Sequence, residues 1–113
     1  MVSIITLYTP QYKSIGEIQT EFSSSYPFLR IEFDQKKSRR SSQQRDEKTP
    51  DAAIEITGST TVEELQKSIW KLFGLAAQVF RRSGNVWLET TMTDHWTLEQ
   101  QNQHGKEISA WMI

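Results

Sequence analysis

Thr61–Phe80 reads TVEELQKSIWKLFGLAAQVF, a capped helix running into a strand, and Ser14–Phe33, SIGEIQTEFSSSYPFLRIEF, repeats the design. A shift of 47 positions lays Ile15 on Val62, Ile18 on Leu65, Phe22 on Ile69, Glu17 on Glu64 and Gln19 on Gln66. Further along, Phe28 falls on Leu75 and Phe33 on Phe80. Ser14 with Glu17, and Thr61 with Glu64, are capping boxes, in which a hydroxyl and a carboxylate each satisfy an orphan backbone N–H. Apolar residues then recur at i, i+3 and i+7, the spacing of a helix with one buried stripe. Pro27 and Gly74 hold equivalent places just past the two helices, where the chain reverses.

Strand-like runs flank both helices. SIITLY (3–8) precedes the first and FLRIEF (28–33) follows it; AAIEIT (52–57) precedes the second and AQVFRR (77–82) follows it. The order βαβ–βαβ predicts an α+β domain, a ferredoxin-like βαββαβ two-layer sandwich spanning residues 1–113. In that arrangement two helices cover one face of a four-stranded antiparallel sheet, and a hairpin joins the second and third strands.

VWLE (86–89) adds a strand beyond this unit, joined to the fourth by the turn at Ser83-Gly84-Asn85. A two-residue loop at Ser83-Gly84 sets Phe80 opposite Trp87 and Val79 opposite Leu88. A loop at Gly84-Asn85 sets Arg82 opposite Trp87. The first register makes the better cross-strand pairs and is the expected one. Thr97 with Gln100 forms a third capping box and opens a short helix, expected to end near His104 at Gly105. The tail KEISAWMI (106–113) places Ile108, Trp111 and Met112 at helical spacing for docking on the body.

The composition excludes several chemistries. The 113 residues include no cysteine, so disulfides, zinc fingers, iron–sulfur clusters and thiol catalysis are ruled out. No Walker loop, GxGxxG, GxSxG or HExxH occurs, and no cofactor is implied. The first residues carry no basic region before their few apolar ones, and no stretch is long and apolar enough for a membrane span. A cytoplasmic protein with no membrane partner is the expectation. The segment 35–50 holds six basic and two acidic residues, a local charge of +4 within a chain of net charge −1. Such a composition predicts a flexible basic loop.

Three readings of function compete. The leading one is a non-enzymatic interaction module whose surface is built from Arg81, Arg82, Trp87, Asp94, His95 and Trp96, a density of arginine and tryptophan typical of contact surfaces. Its structural alternative has Trp87 and Trp96 closing a small core between hairpin and helix, with Trp96 as a hydrophobic staple. Trp70 sits at an otherwise polar helix position, and the interaction reading needs Trp70, Trp87 or Trp111 to stay exposed as a partner anchor. The second reading is nucleic-acid binding through Lys36, Lys37, Arg39, Arg40 and Arg45, where each phosphate contact adds a salt-dependent increment. Against it, AAIEIT carries no aromatic residue of the kind that RNA-binding sheets use for stacking. The third is a small acid–base or metal site around Asp94, His95 and Glu99. Asp94 is more simply a turn residue, and His104, beside Gly105, a favourable cation near a helix C-terminus. An exposed edge strand or the apolar tail offers a contact for a dimer.

Phe73–Gly105 reads FGLAAQVFRRSGNVWLETTMTDHWTLEQQNQHG. This run resembles a family of small bacterial proteins that carry a very similar C-terminal block. The matching features are Phe73-Gly74-Leu75, Gln78 to Arg81, Ser83 to Leu88, Thr90-Thr91, Thr93-Asp94, Trp96 to Leu98 and Gln101-Asn102. The resemblance covers about the last half of the chain and implies no activity, ligand or catalytic residue.

Overall fold

A computed structural model describes residues 5–8, 15–34, 36–37 and 53–111, with Ile5, Leu7, Tyr8 and Trp111 placed by backbone alone. The elements in chain order are β1 (Ile5–Tyr8), α1 (Ile15–Ser25), β2 (Leu29–Asp34), β3 (Ala53–Ile56) and α2 (Val62–Phe73). Then come β4 (Ala76–Ser83), β5 (Val86–Glu89), a short 3-10 turn (Thr91–Thr93) and α3 (Leu98–Trp111). The chain is α+β, as its patterning predicts.

The repeated stripe is what buries each helix. Val62, Leu65, Ile69 and Phe73 of α2 are buried, as are Ile18 and Phe22 of α1. Thr61 Oγ1 accepts the Glu64 N–H at the start of α2 (3.1 Å). Gly74 ends that helix in the left-handed region (φ 70°), where its N–H donates to Trp70 O. The corresponding cap expected at Ser14 and the docking of Trp111 and Met112 lie outside the described residues or side chains. Both helices feed one core with Leu29 and Ile31 of β2, Ile54 and Ile56 of β3, Val79 of β4 and Leu98 of α3.

The sheet meets the ferredoxin-like expectation only in part. Among the described residues β3 has no pairing with β2. It pairs antiparallel with β1, while β2, β4 and β5 make a separate three-stranded antiparallel sheet in that order. A tight hairpin needs a connection of a few residues, and the long polar segment between β2 and β3 imposes no such link. Each strand is free to pair with its counterpart in the other half of the chain. Leu7 faces Ile54, which are equivalent positions under the 47-residue shift. Ile31 faces Val79 and Glu32 faces Gln78, two pairs that the same shift exchanges. The halves are therefore joined about a local two-fold, as two copies of a βαβ unit would be.

The hairpin also departs from expectation. Arg82 faces Trp87 and Ser83 faces Val86, so the turn is Gly84-Asn85 and Phe80 lies opposite Glu89. Gly84 has φ 64° and no non-glycine residue described has positive φ, the pattern of a type II′ turn with glycine at its first central position. Turn chemistry overrides the more attractive side-chain pairs of the other register. Finally, α3 does not stop at Gly105 but runs on to Trp111. Gly105 is buried where the helix meets the sheet, and a Cβ there would lie 3.0 Å from Phe28 Cβ and 3.2 Å from Arg82 O. This glycine permits close approach of helix to strand, and it is not a helix stop.

Candidate interaction surface

Successive residues of a strand point to opposite faces, so Arg81 and Arg82 cannot serve one site. Arg82, exposed, lies over Trp87 with Cζ 5.7 Å from the ring centroid, and its Nε donates to Gly84 O (2.7 Å). Phe80 and Trp87 share this face with Arg30, which pairs with Glu32. Arg81 turns to the helix side. Its Nη1 donates to Gln101 Oε1 (2.6 Å), and its Cζ lies 5.8 Å from the Trp96 ring centroid. Gln101 is fully buried, and its Nε2 donates to Thr93 O (2.6 Å) and Thr93 Oγ1 (2.8 Å). Burial alone pulls the Arg81 guanidinium below its ordinary pKa, and its Nε is buried with no hydrogen-bond acceptor among the described groups. Gln101 is not among the expected site residues, although Leu98, Gln101, Gly105 and Ile108 stand at helical spacing on one face of α3.

Residues 94–97 prove to be a joint between helices. Val62 N–H donates to Trp96 O (3.2 Å) and Glu63 N–H to Asp94 O (2.8 Å), so this segment satisfies the open start of α2. In return Leu98 N–H donates to Thr60 O (2.8 Å) and Glu99 N–H to Gly58 O (3.1 Å). Thr61 and Thr97 form an isolated antiparallel bridge between the two starts. The capping box at Thr97 is complete: Gln100 N–H donates to Thr97 Oγ1, and Thr97 N–H to Gln100 Oε1. Asp94 and Trp96 therefore act through their backbone carbonyls, which side-chain reasoning does not see.

Trp96 is half-buried and does not work as a staple, since the residue at the fourth helical position is the polar Gln101. Its ring meets His104 edge-on (centroids 5.5 Å apart) and Arg81 on another side. His104 lies in mid-helix and has no helix terminus to stabilise, contrary to the sequence reading. An open groove of about 550 Å³ runs beside it, lined by Trp96, Glu99, Gln100, Gln103, His104 and Glu107. Asp94 and His95 take no part in that groove, and His95 is exposed. Among the described residues no three His, Asp or Glu side chains stand close enough to hold a metal ion. Beside His95, the Lys67 ammonium donates to Glu63 Oε1, holding that carboxyl below its usual pKa and raising its own.

Of the basic residues, Lys36 and Lys37 donate their backbone N–H groups to Asp34 Oδ1 (2.9 and 3.4 Å). Arg39, Arg40 and Arg45 lie outside the described residues. No helix among the described residues is long and apolar enough to cross a membrane.

Three exposed large apolar side chains lie on β5 and the turn after it: Val86 is 55% exposed, Leu88 45% and Met92 90%. Leu88 faces Arg81 across the sheet and so lies on the helix side. Two others, Trp70 (41% exposed) and Leu72 (39%), stand on α2. Compared with family models, curated proteins and solved structures, the chain finds no match.

Proposed function

We propose that the protein is a non-enzymatic interaction module whose contact surface is the β4–β5 hairpin with the turn and helix start that follow. One observation carries this reading: Val86 and Leu88 present apolar surface to solvent on the sheet face that also holds the Arg81–Trp96 pair, with Met92 exposed in the turn that follows. A half-buried tryptophan held by a guanidinium group supplies rigid contact area at little entropic cost, and the exposed aliphatic residues supply area to desolvate. Membership in the small bacterial family that residues 73–105 resemble would place this surface in the shared half of the chain. The test is affinity capture from the source cells, comparing the protein with a Leu88→Lys, Met92→Lys variant and a Trp70→Ala control. Specific partners retained by the control and lost by the double variant are expected. Capture unaffected by the double variant, with the fold intact by circular dichroism, would remove the surface from consideration.

A second reading is favoured by the opposite sheet face, where Phe80 and Trp87 share an open surface with Arg30 and Arg82. The expected absence of aromatic residues concerned β3, which is not part of this sheet. Two aromatic rings on neighbouring strands form a stacking platform for single-stranded nucleic acid. Titration with single-stranded oligonucleotides at low salt tests it. Binding that weakens with salt and with Trp87→Ala supports it, and no binding ends it.

A further inference from the structure

Open strand edges in the three-stranded sheet are treated unequally. On the outer edge of β2, Ser23 Oγ donates to Leu29 O (3.2 Å) and Gln19 Nε2 to Ile31 O (2.9 Å). Where β4 runs past β5, Gln66 Nε2 donates to Ala77 O (3.0 Å), and Thr90 closes Val79 O through both N–H and Oγ1. Gln19 and Gln66 are equivalent in the two halves, so the same device recurs. The outer edge of β5 has no such plug. A two-residue turn makes Ser83–Val86 and Arg81–Leu88 the hydrogen-bonded pairs, which turns the backbone groups of Trp87 and Glu89 outward. Among the described residues none donates to or accepts from them. The edge also lacks the lysine, proline or bulge that commonly guards an open strand, and Val86 and Leu88 are exposed along it.

We propose that β5 pairs antiparallel with β5 of a second copy of this chain, about a two-fold axis through Trp87. This proposal rests on the interaction reading and names the partner. The register is self-complementary. Trp87 meets Trp87 of the second copy as a hydrogen-bonded pair, giving a row Arg82–Trp87–Trp87–Arg82 across one face. On the helix side Val86 meets Leu88 in both directions, apolar against apolar. Glu89 falls opposite Asn85, so no like charges are opposed. Two three-stranded sheets become one of six, joined about the kind of axis that already relates β2 to β4. Four-residue strands bury little area, so the dimer is concentration-dependent and not obligate.

The chain has no cysteine, so a single introduced thiol reports the contact cleanly. Opposed residues of a hydrogen-bonded pair lie about 5.5 Å apart at Cα, within disulfide reach. Trp87→Cys is expected to give a disulfide-linked dimer on mild oxidation, and Glu55→Cys, exposed on β3, to stay monomeric. Light scattering of the unmodified protein should rise with concentration from 13.2 kDa towards twice that mass, and Leu88→Lys should hold it at the monomer while remaining folded. A monomeric mass at every concentration overturns the proposal. So does a dimer that survives Leu88→Lys with no preferential linkage at position 87. If the protein stays monomeric while the Leu88→Lys, Met92→Lys variant still loses its captured partners, self-pairing falls and the broader interaction reading stands. If capture is unaffected as well, both fall.

Discussion

A methyl group at position 105 would stand 3.0 Å from Phe28 Cβ, 3.1 Å from Arg81 Cγ and 3.2 Å from Arg82 O. Alanine is preferred over glycine inside a helix by about 1 kcal/mol, whereas overpacking a tight contact costs about 1–3 kcal/mol. Two of the three neighbours are backbone or attached directly to it, so the steric effect wins. Gly105→Ala is expected to lower stability by about 1 kcal/mol in urea denaturation, and a stabilised variant would show that α3 lifts freely from the strand. Tyr26 offers the opposite case. Its ring is buried against Phe22, and its hydroxyl has no hydrogen-bond partner among the described groups. Tyr26→Phe should leave stability within about 1 kcal/mol, since no hydrogen bond is lost. Burial, and secondarily the Glu99 carboxylate, raises the Tyr26 pKa. Unfolded tyrosine ionises near pH 10, so the unfolded chain gives up this proton first. The contribution is intact below about pH 10 and is lost as pH rises through the folded value. Melting temperatures measured from pH 8 to 11 should therefore fall less steeply for Tyr26→Phe.

At the scale of elements, the starts of α2 and α3 complete each other. Each lends backbone carbonyls to the other's first N–H groups, with Thr61 and Thr97 bridged between them. Thr97→Ala removes a cap from one helix and is expected to cost about 1 kcal/mol. Hydrogen exchange should register it in both helices, with the amides of Val62 and Glu63 losing protection alongside those of Leu98 and Glu99. Protection lost in α3 alone would show that the joint is not shared. The hydroxyl caps were legible in the sequence because they join residues three apart. The carbonyl exchange was not, because it joins segments distant in the chain through groups every residue carries. Gly105 was misread for a related reason. A glycine after a periodic run is the signature of a helix end, and only the nearness of Phe28 and Arg82 shows its other use. The hairpin register was legible in principle, since glycine at the first turn position marks a type II′ turn, yet the prospect of pairing Phe80 with Trp87 outweighed that local rule.

For the molecule as a whole, the repeat at a 47-residue shift announced both helices, their buried stripes and the strands around them, because each is set by local periodicity. It did not announce which strands would pair, since four strands of similar length and pattern admit several antiparallel arrangements. Of the candidate surface, Arg81 and Trp96 are brought together, and so are Arg82 and Trp87, but on opposite faces. The exposure of Val86, Leu88 and Met92 had no sequence signal, because nothing local shows whether an apolar residue will be covered. The pairing between halves has a direct test. Both β1 and β2 take their partners from the second half, so residues 1–44 hold no described strand pairing of their own. Fragments 1–44 and 45–113 are expected to assemble when mixed, with a gain in helical circular dichroism over the sum of the parts. A cooperative melting transition in fragment 1–44 alone would contradict this. The same pairing bears on synthesis, where order in the chain becomes order in time. A ribosome adds about 5–20 residues per second, so each early strand emerges roughly 2 to 10 seconds before its counterpart. Throughout that interval the nascent chain carries strands awaiting partners, and the exposure of their edges depends on the rate of translation as well as on the finished fold.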